Sequence, residues 1–214
     1  DVETSWQVTD TGGYDPSPYH PDNILVSVGI NDEYYFTNHS ERIDDGCYHN
    51  IQSILDKTTL LVGHNIKFDL MWLIEAGFKY TGKVYDTMLG EYILNRGIRK
   101  SLTLEMSCRR RRIGSKDNRI KEFTDRGIPF QNIPANVVEE YGRMDVQITR
   151  DLFNSQMADF RMPKNKHLLM TAKMMNEFLI VLSDMEANGI NINLEELSKV
   201  EKEYRAEFAY LKQK

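Results

Sequence analysis

The chain has 214 residues, 41% hydrophobic and 28% charged, with a formal net charge of −5. These are ordinary values for a soluble globular protein with one sizeable core and room for an appendage, and the acidic balance argues against a protein that coats nucleic acid. No run approaches the roughly 18 apolar residues of a membrane span, and the opening DVETSW lacks the basic start and apolar centre of a secretion signal; no membrane partner and a cytoplasmic location are expected. Cys47 and Cys108 lie far apart, which suggests neither a disulfide framework nor a zinc site.

Residues 1 to 4, DVET, predict a strand in which Asp1 and Glu3, two apart, share a face. From Trp6 to Asn23 the composition shifts to Gly12-Gly13, Pro16, Pro18 and Pro21, a loop long enough to be functional. Ile24 to Ile30, Asn31-Asp32 and Glu33 to Thr37 read as a hairpin, and Tyr48 to Leu55 as a helix. The apolar run Thr59 to Gly63 precedes VGHNIKFDLMWL, where Ile66, Leu70, Leu73 and Ile74 recur at helical spacing, with Asn65 placed to cap the helix and Gly77 to stop it. Asp69 is left in a mostly apolar helix, where it either reaches a rim of solvent near the helix N-terminus or meets a positive partner. Val84 to Asp86 suggests one more strand, leading into a helix through Met88, Leu89, Tyr92 and Ile93.

Between Arg96 and Lys121 ten basic residues stand against two acidic ones, with Arg109, Arg110, Arg111 and Arg112 consecutive. The run is either a solvated face or a phosphate-contacting surface that tracks a single strand. Gly127 to Pro134 reads as a turn, and a helix follows from Ala135 to about Phe160. On it Val137, Tyr141, Asp145, Ile148 and Leu152 form one stripe, so Asp145 is a second carboxylate at an inward position, while Tyr141 alone reads as core packing. Beyond Pro163 the chain is nearly all helix: Lys166 to Ala187, with inward positions at Leu168, Leu169, Met175, Leu179 and Leu182, then Leu194 to Leu211. Met170, Met174, Met175 and Met185 are expected as core filling.

Strands interleaved with helices point to an α/β layer with a mixed sheet. Four acids come from separate elements, Asp1 and Glu3, Asp69, and Asp145. Oxygen ligands without His or Cys select hard cations, so Mg²⁺ or Mn²⁺ fits. Several carboxylates can hold two such ions roughly 3.5 to 4 Å apart, the arrangement that activates water on one side of a phosphodiester and stabilises the leaving oxygen on the other.

The segments DVET, NIKFD (Asn65 to Asp69) and YGRMD (Tyr141 to Asp145) resemble, in order, the three motifs of the DEDD exonuclease superfamily. Tyr four residues before the last Asp, with Glu140 where a sister subfamily has His, resembles the tyrosine subfamily. LSDMEANGININLEEL (Leu182 to Leu197) resembles the segment joining exonuclease to polymerase in family A DNA polymerases, and SPYHPDNILVSVG resembles bacteriophage members.

The resemblance implies a ribonuclease H-like fold, a mixed five-stranded sheet flanked by helices, with an exonuclease domain over residues 1–160 and a helical extension over 161–214. That extension would lead into a polymerase domain of the full-length chain; the resemblance ends before the palm and fingers. It also implies that the first strand normally extends upstream of Asp1, so a free amine would sit beside the metals. The implied activity is metal-dependent removal of nucleotides from a single-stranded DNA 3′ end, as a proofreading domain, in the host cytoplasm if phage-encoded, by a monomer. Asp1, Glu3 and Asp145 would hold one Mg²⁺ or Mn²⁺, Asp1 and Asp69 the second, and Tyr141 would orient the nucleophile. Thr4, Asn65 and Phe68, the last replacing a more usual Tyr, would contact the terminal nucleotide. An RNA-trimming enzyme of the same superfamily and a non-catalytic nucleic-acid-binding module on the same fold are the alternatives.

Overall fold

Residues 1–114 and 119–212 are described by a computed structural model; Lys116 and Asp117 of the basic run lie outside them. The chain forms two compact units, Asp1–Ser183 and Asp184–Lys214. In the first, β1 (Val2–Thr4) is followed by a small hairpin of β2 (Gln7–Val8) and β3 (Tyr14–Asp15), then β4 (Leu25–Ile30) and β5 (Glu33–Phe36). Helix α1 (Cys47–Lys57) leads to β6 (Leu60–Gly63), α2 (Ile66–Glu75), β7 (Lys83–Asp86) and α3 (Thr87–Leu94). After α4 (Leu104–Arg111) and α5 (Arg119–Thr124) come the long α6 (Ala135–Arg161), α7 (Leu168–Asn188) and α8 (Leu194–Lys212).

Strand β4 is buried along its whole length, as its near-continuous apolar sequence requires. It pairs antiparallel with β1 on one side and β5 on the other. Asn31 turns the β4–β5 hairpin with φ 55°, a left-handed conformation that Asn tolerates. One face of this sheet packs Val2, Val28 and Ile30 against Ile51, Leu55, Trp72 and Phe78 of the α1–α2 layer. The other face packs Tyr34 and Phe36 against Ile133, Val138 and Tyr141 at the start of α6. Strands β6 and β7 pair in parallel, connected through α2, as parallel strands must be.

The ladders differ from the single five-stranded sheet expected. They form a three-stranded antiparallel sheet, a parallel pair and the β2–β3 hairpin. Between the β1–β4 edge and β6 lies a cavity of about 360 Å³, lined by Gly29, Ile30, Leu61, Val62, Asp69 and Phe153 among others.

Three further differences have local causes. The loop over 6–23 contains a hairpin, its two-residue strands too short to show an alternating pattern. The basic run hides α4, which Thr103 caps and which buries Leu104, Ser107 and Cys108 against Ile148 and Leu152 of α6; consecutive arginines mask its period. On α7 the buried positions are Ala172, Asn176, Leu179 and Ser183, while Leu169 and Leu182 are exposed, as are Met170, Met174 and Met185, which therefore fill no core. Small residues let the helix approach closely, and the Asp86 backbone N–H donates to Asn176 Oδ1 at 2.6 Å. The first unit consequently runs past residue 160 and takes in most of α7, up to Ser183. In the second unit α8 buries none of its residues. No helix among the described residues is long and apolar enough to cross a membrane.

Candidate active site

The site is built around β1. Glu3 and Thr4 are 9% and 8% exposed, and the β1–β4 register shifts between them, an irregularity of the kind that re-aims side chains beside functional centres. Asp1 begins the strand with its side chain accessible, and its backbone pairs with Gly29 through N–H and C=O alike.

On one side of β1 stands the start of α2. Strand β6 ends at Gly63, where any Cβ would press on the Ile66 side chain at about 3 Å, so only glycine permits this tight passage from strand to helix. Asn65 occupies the N-cap position with φ 62° and makes no side-chain cap bond. This corrects the expectation that its amide caps the helix. Asp86, from the end of β7, does that work instead: its Oδ1 accepts the Asn65 N–H at 2.9 Å and the Met88 N–H at 2.8 Å. One carboxylate thus serves the starts of both α2 and α3, and the Asn65 side chain is left exposed.

Asp69, one turn into α2, is 7% exposed. The Val2 backbone N–H reaches its carboxylate, and the ammonium of Asp1 stands 3.9 Å from Oδ2. Burial pushes the Asp69 carboxyl up to about 6; the ammonium opposes that rise, the Asp86 carboxylate adds to it and the Val2 N–H opposes it.

On the other side of β1 stands α6, presenting Tyr141 and Asp145, 8% and 4% exposed. Their side chains hydrogen-bond each other, and burial, then the charges of Glu3 and Asp145, raise the Tyr141 phenol well above its usual range. Tyr141 therefore keeps its proton at neutral pH and acts as a hydrogen-bonding group. Beneath it lies Tyr34, whose hydroxyl is 2.8 Å from Ser27 Oγ and whose ring occupies the space that a Cβ on Gly142 would take. Burial and the neighbouring Glu3 raise the Tyr34 phenol too.

The residues expected to touch a terminal nucleotide differ in access: Thr4 is buried, Asn65 exposed and Phe68 half-buried, with the Phe68 ring 6.5 Å from that of Trp72. The arginine run divides. Arg110 donates to Ser101 O and Glu91, and Arg111 to Glu91, Ser155 and Asp159. These two hold α3, α4 and α6 together and are turned away from the phosphate-contacting role expected of all four. Arg109 and Arg112 are exposed.

The sequence reasoning missed Asp86 and Tyr34. Asp86 directly precedes a helical run, the ordinary place for a capping acid, but no pattern shows that it also reaches Asn65. Tyr34 lies in an aromatic strand whose inward phase was legible, though its partner on α6 was not.

Among the described residues no three His, Cys, Asp or Glu side chains form a ready-made metal cage. The Asp1 ammonium stands beside Asp69, while the charges of Glu3 and Asp145 both act on Tyr141. The donor chemistry of the four candidate acids fits a hard cation: each offers carboxylate oxygens, and Asp69 is a buried acid whose carboxyl burial raises despite the nearby ammonium.

A family model described as 3′-5′ exonuclease, for the exonuclease domain of the DNA polymerase A group, matches residues 9–158. The match includes Asn65 to Asp69 and Tyr141 to Asp145 and begins after DVET. A curated relative, "DNA polymerase I" of Borreliella burgdorferi, is 26% identical over 145 residues, which cover 68% of this chain and 15% of that protein. The aligned stretch is thus a small part of the relative's length. The chain belongs to the 3′-5′ exonuclease domain family of the DNA polymerase A group.

Proposed function

We propose that this chain is a tyrosine-type exonuclease that hydrolyses the terminal phosphodiester at the 3′ end of single-stranded DNA, as the proofreading part of a longer polymerase. Residues 161–214 would lead toward the polymerising part, and the five strands β1 and β4 to β7 would act as the ribonuclease H-like core. The observation that supports this reading is the meeting of three distant segments at one short strand. Asp69 of α2 receives the Val2 N–H, while Tyr141 of α6 feels both Glu3 and Asp145.

Asp1, Glu3, Asp69 and Asp145 would hold two Mg²⁺ or Mn²⁺ ions. Such a pair, when bound, supplies a hydroxide nucleophile at neutral pH and positive charge for the leaving 3′ oxygen. Asp69 would exchange its proton for the cation, since burial already disfavours its bare charge. The Tyr141 hydroxyl, proton retained, would orient the attacking water while Asp145 accepts its hydrogen bond. The exposed Asn65 amide and the half-buried Phe68 ring would seat the terminal nucleotide.

The test is degradation of a labelled single-stranded DNA with Mn²⁺, with a chelator, and by Asp69→Ala. Stepwise release of mononucleotides is expected, stopped by chelation and lowered at least about a hundredfold by the substitution with the fold retained. Full activity of Asp69→Ala would refute the site. A strong preference for an RNA strand would replace DNA as the substrate, and strand binding without cleavage would make the chain a binding module.

A further inference from the structure

Building on the exonuclease reading, we propose that the β2–β3 hairpin is an additional binding surface for the unpaired strand, with Tyr14 as a stacking face for a base upstream of the terminal one. The residues carrying it form a row of rings. From Tyr141 the centroids step to Phe130 at 6.3 Å, to Trp6 at 5.9 Å and to Tyr14 at 5.6 Å. Burial falls along that row, from Tyr141 at 8% exposed, through half-buried Phe130 and Trp6, to Tyr14 at 60%. A surface of aromatic rings therefore leads outward from the catalytic phenol.

The hairpin is held in place at both ends. Its turn is closed by Thr9 N–H to Gly13 O at 2.8 Å, Gly12 N–H to Thr9 O at 2.8 Å and Gly13 N–H to Thr9 Oγ1 at 2.9 Å. Its base is tied by the buried Asn23, whose Nδ2 donates to Asp15 O and Ser17 O, both at 2.9 Å. A ring on a fixed mount loses little freedom when it binds. Tyr14 and its neighbour Val8, 68% exposed, leave apolar surface in water where the fold gains nothing from it.

Charge identifies which part of a strand this surface would take. Residues 6–23 contain three Asp and no Lys or Arg, so the hairpin repels phosphates and can attract only the bases. Stacking serves this purpose without sequence preference, because every base has a π face. The hairpin's contribution to affinity should accordingly be independent of salt, unlike that of a basic groove, whose hold weakens as counterions compete.

The experiment measures binding of fluorescent oligothymidylates of two and eight nucleotides to the intact chain in chelator, at low and high salt. Tyr14→Ala and Tyr14→Leu are expected to weaken the octamer by about tenfold, by the same factor at both salts, and to leave the dinucleotide unaffected. Tyr14→Phe and Tyr14→Trp are expected to bind as the parent does. The leucine variant keeps apolar packing against Trp6, so its loss reports stacking and not collapse of the hairpin. Parent-like octamer binding by Tyr14→Leu, an equal loss for the dinucleotide, or a loss that disappears at high salt would each overturn the proposal. If the parent binds strands in chelator and degrades them in a parallel assay with Mn²⁺, while the Tyr14 variants bind as it does, the hairpin proposal alone fails. If the parent neither binds strands in chelator nor degrades them with Mn²⁺, the exonuclease reading fails with it.

Discussion

Glu91 on α3 and Asp69 on α2 are 2% and 7% exposed, and both sit on helices that face the interior, yet their surroundings are opposite. Glu91 receives Arg111, Arg110 at 3.2 Å and Gln156 Nε2 at 3.2 Å, and Arg111 goes on to Asp159 at 2.7 Å. Asp69 receives one backbone N–H, stands 3.9 Å from a terminal ammonium and has Asp86 as a charged neighbour. The first acid is matched by the protein itself and joins three helices. The second meets no guanidinium among the described residues. Asp86, 1% exposed and also without guanidinium, is matched by the backbone N–H groups of Asn65 and Met88, so of these three buried acids Asp69 is the least compensated.

The contrast can be broken first at Glu91. Glu91→Ala leaves Arg111, whose side chain is 13% exposed, with only Asp159 as a charged partner and takes the carboxylate from Arg110, and is expected to cost about 3–5 kcal/mol in urea denaturation. A loss below about 1 kcal/mol would show that the junction contributes little.

Asp69 should behave in the reverse sense. Its folded-state carboxyl is raised to about 6 from 3.8, so the metal-free protein favours the protonated acid and loses stability as pH rises through that interval. Asp69→Asn, uncharged throughout, is expected to match the parent below about pH 4 and to exceed it by about 3 kcal/mol above about pH 7. Denaturation in chelator at the two pH values checks this; a parent that gains stability relative to the variant on going to high pH would remove the distinction between the two acids.

The smallest effect is expected at Tyr141. Because its phenol is raised by burial and by Glu3 and Asp145, Tyr141→Phe should slow nucleotide release by about tenfold, less than the 10²–10⁴ of losing a true base. The loss should be constant from about pH 6 to pH 9. A loss that grows with pH would make the tyrosine a proton acceptor.

The two buried acids of the candidate site were legible before the fold was. Asp69 and Asp145 stood out because helical spacing placed an acid on an apolar stripe, and both are buried. The hairpin at Asn31, the span of α2 and the long α6 follow from turn chemistry and periodicity, which depend on neighbours a few residues away. Less legible was the arginine run, where four adjacent identical residues carry no phase. Only a partner twenty residues distant, Glu91, selects Arg110 and Arg111 for the interior.

The sequence by itself therefore determined the elements, the acids that do not belong in them and the oxygen-only chemistry those acids share, because each is set by local period and side-chain type. The tertiary structure decided which charges cancel. It turned Arg111 toward Glu91, gave Asp86 the capping role expected of Asn65, divided the strands into separate ladders and buried Ala172, Asn176, Leu179 and Ser183 of α7 while leaving Leu169 and Leu182 exposed. Those outcomes depend on which surfaces meet, and burial magnifies the cost of an unmatched charge or an unpaired N–H until one arrangement outweighs the others.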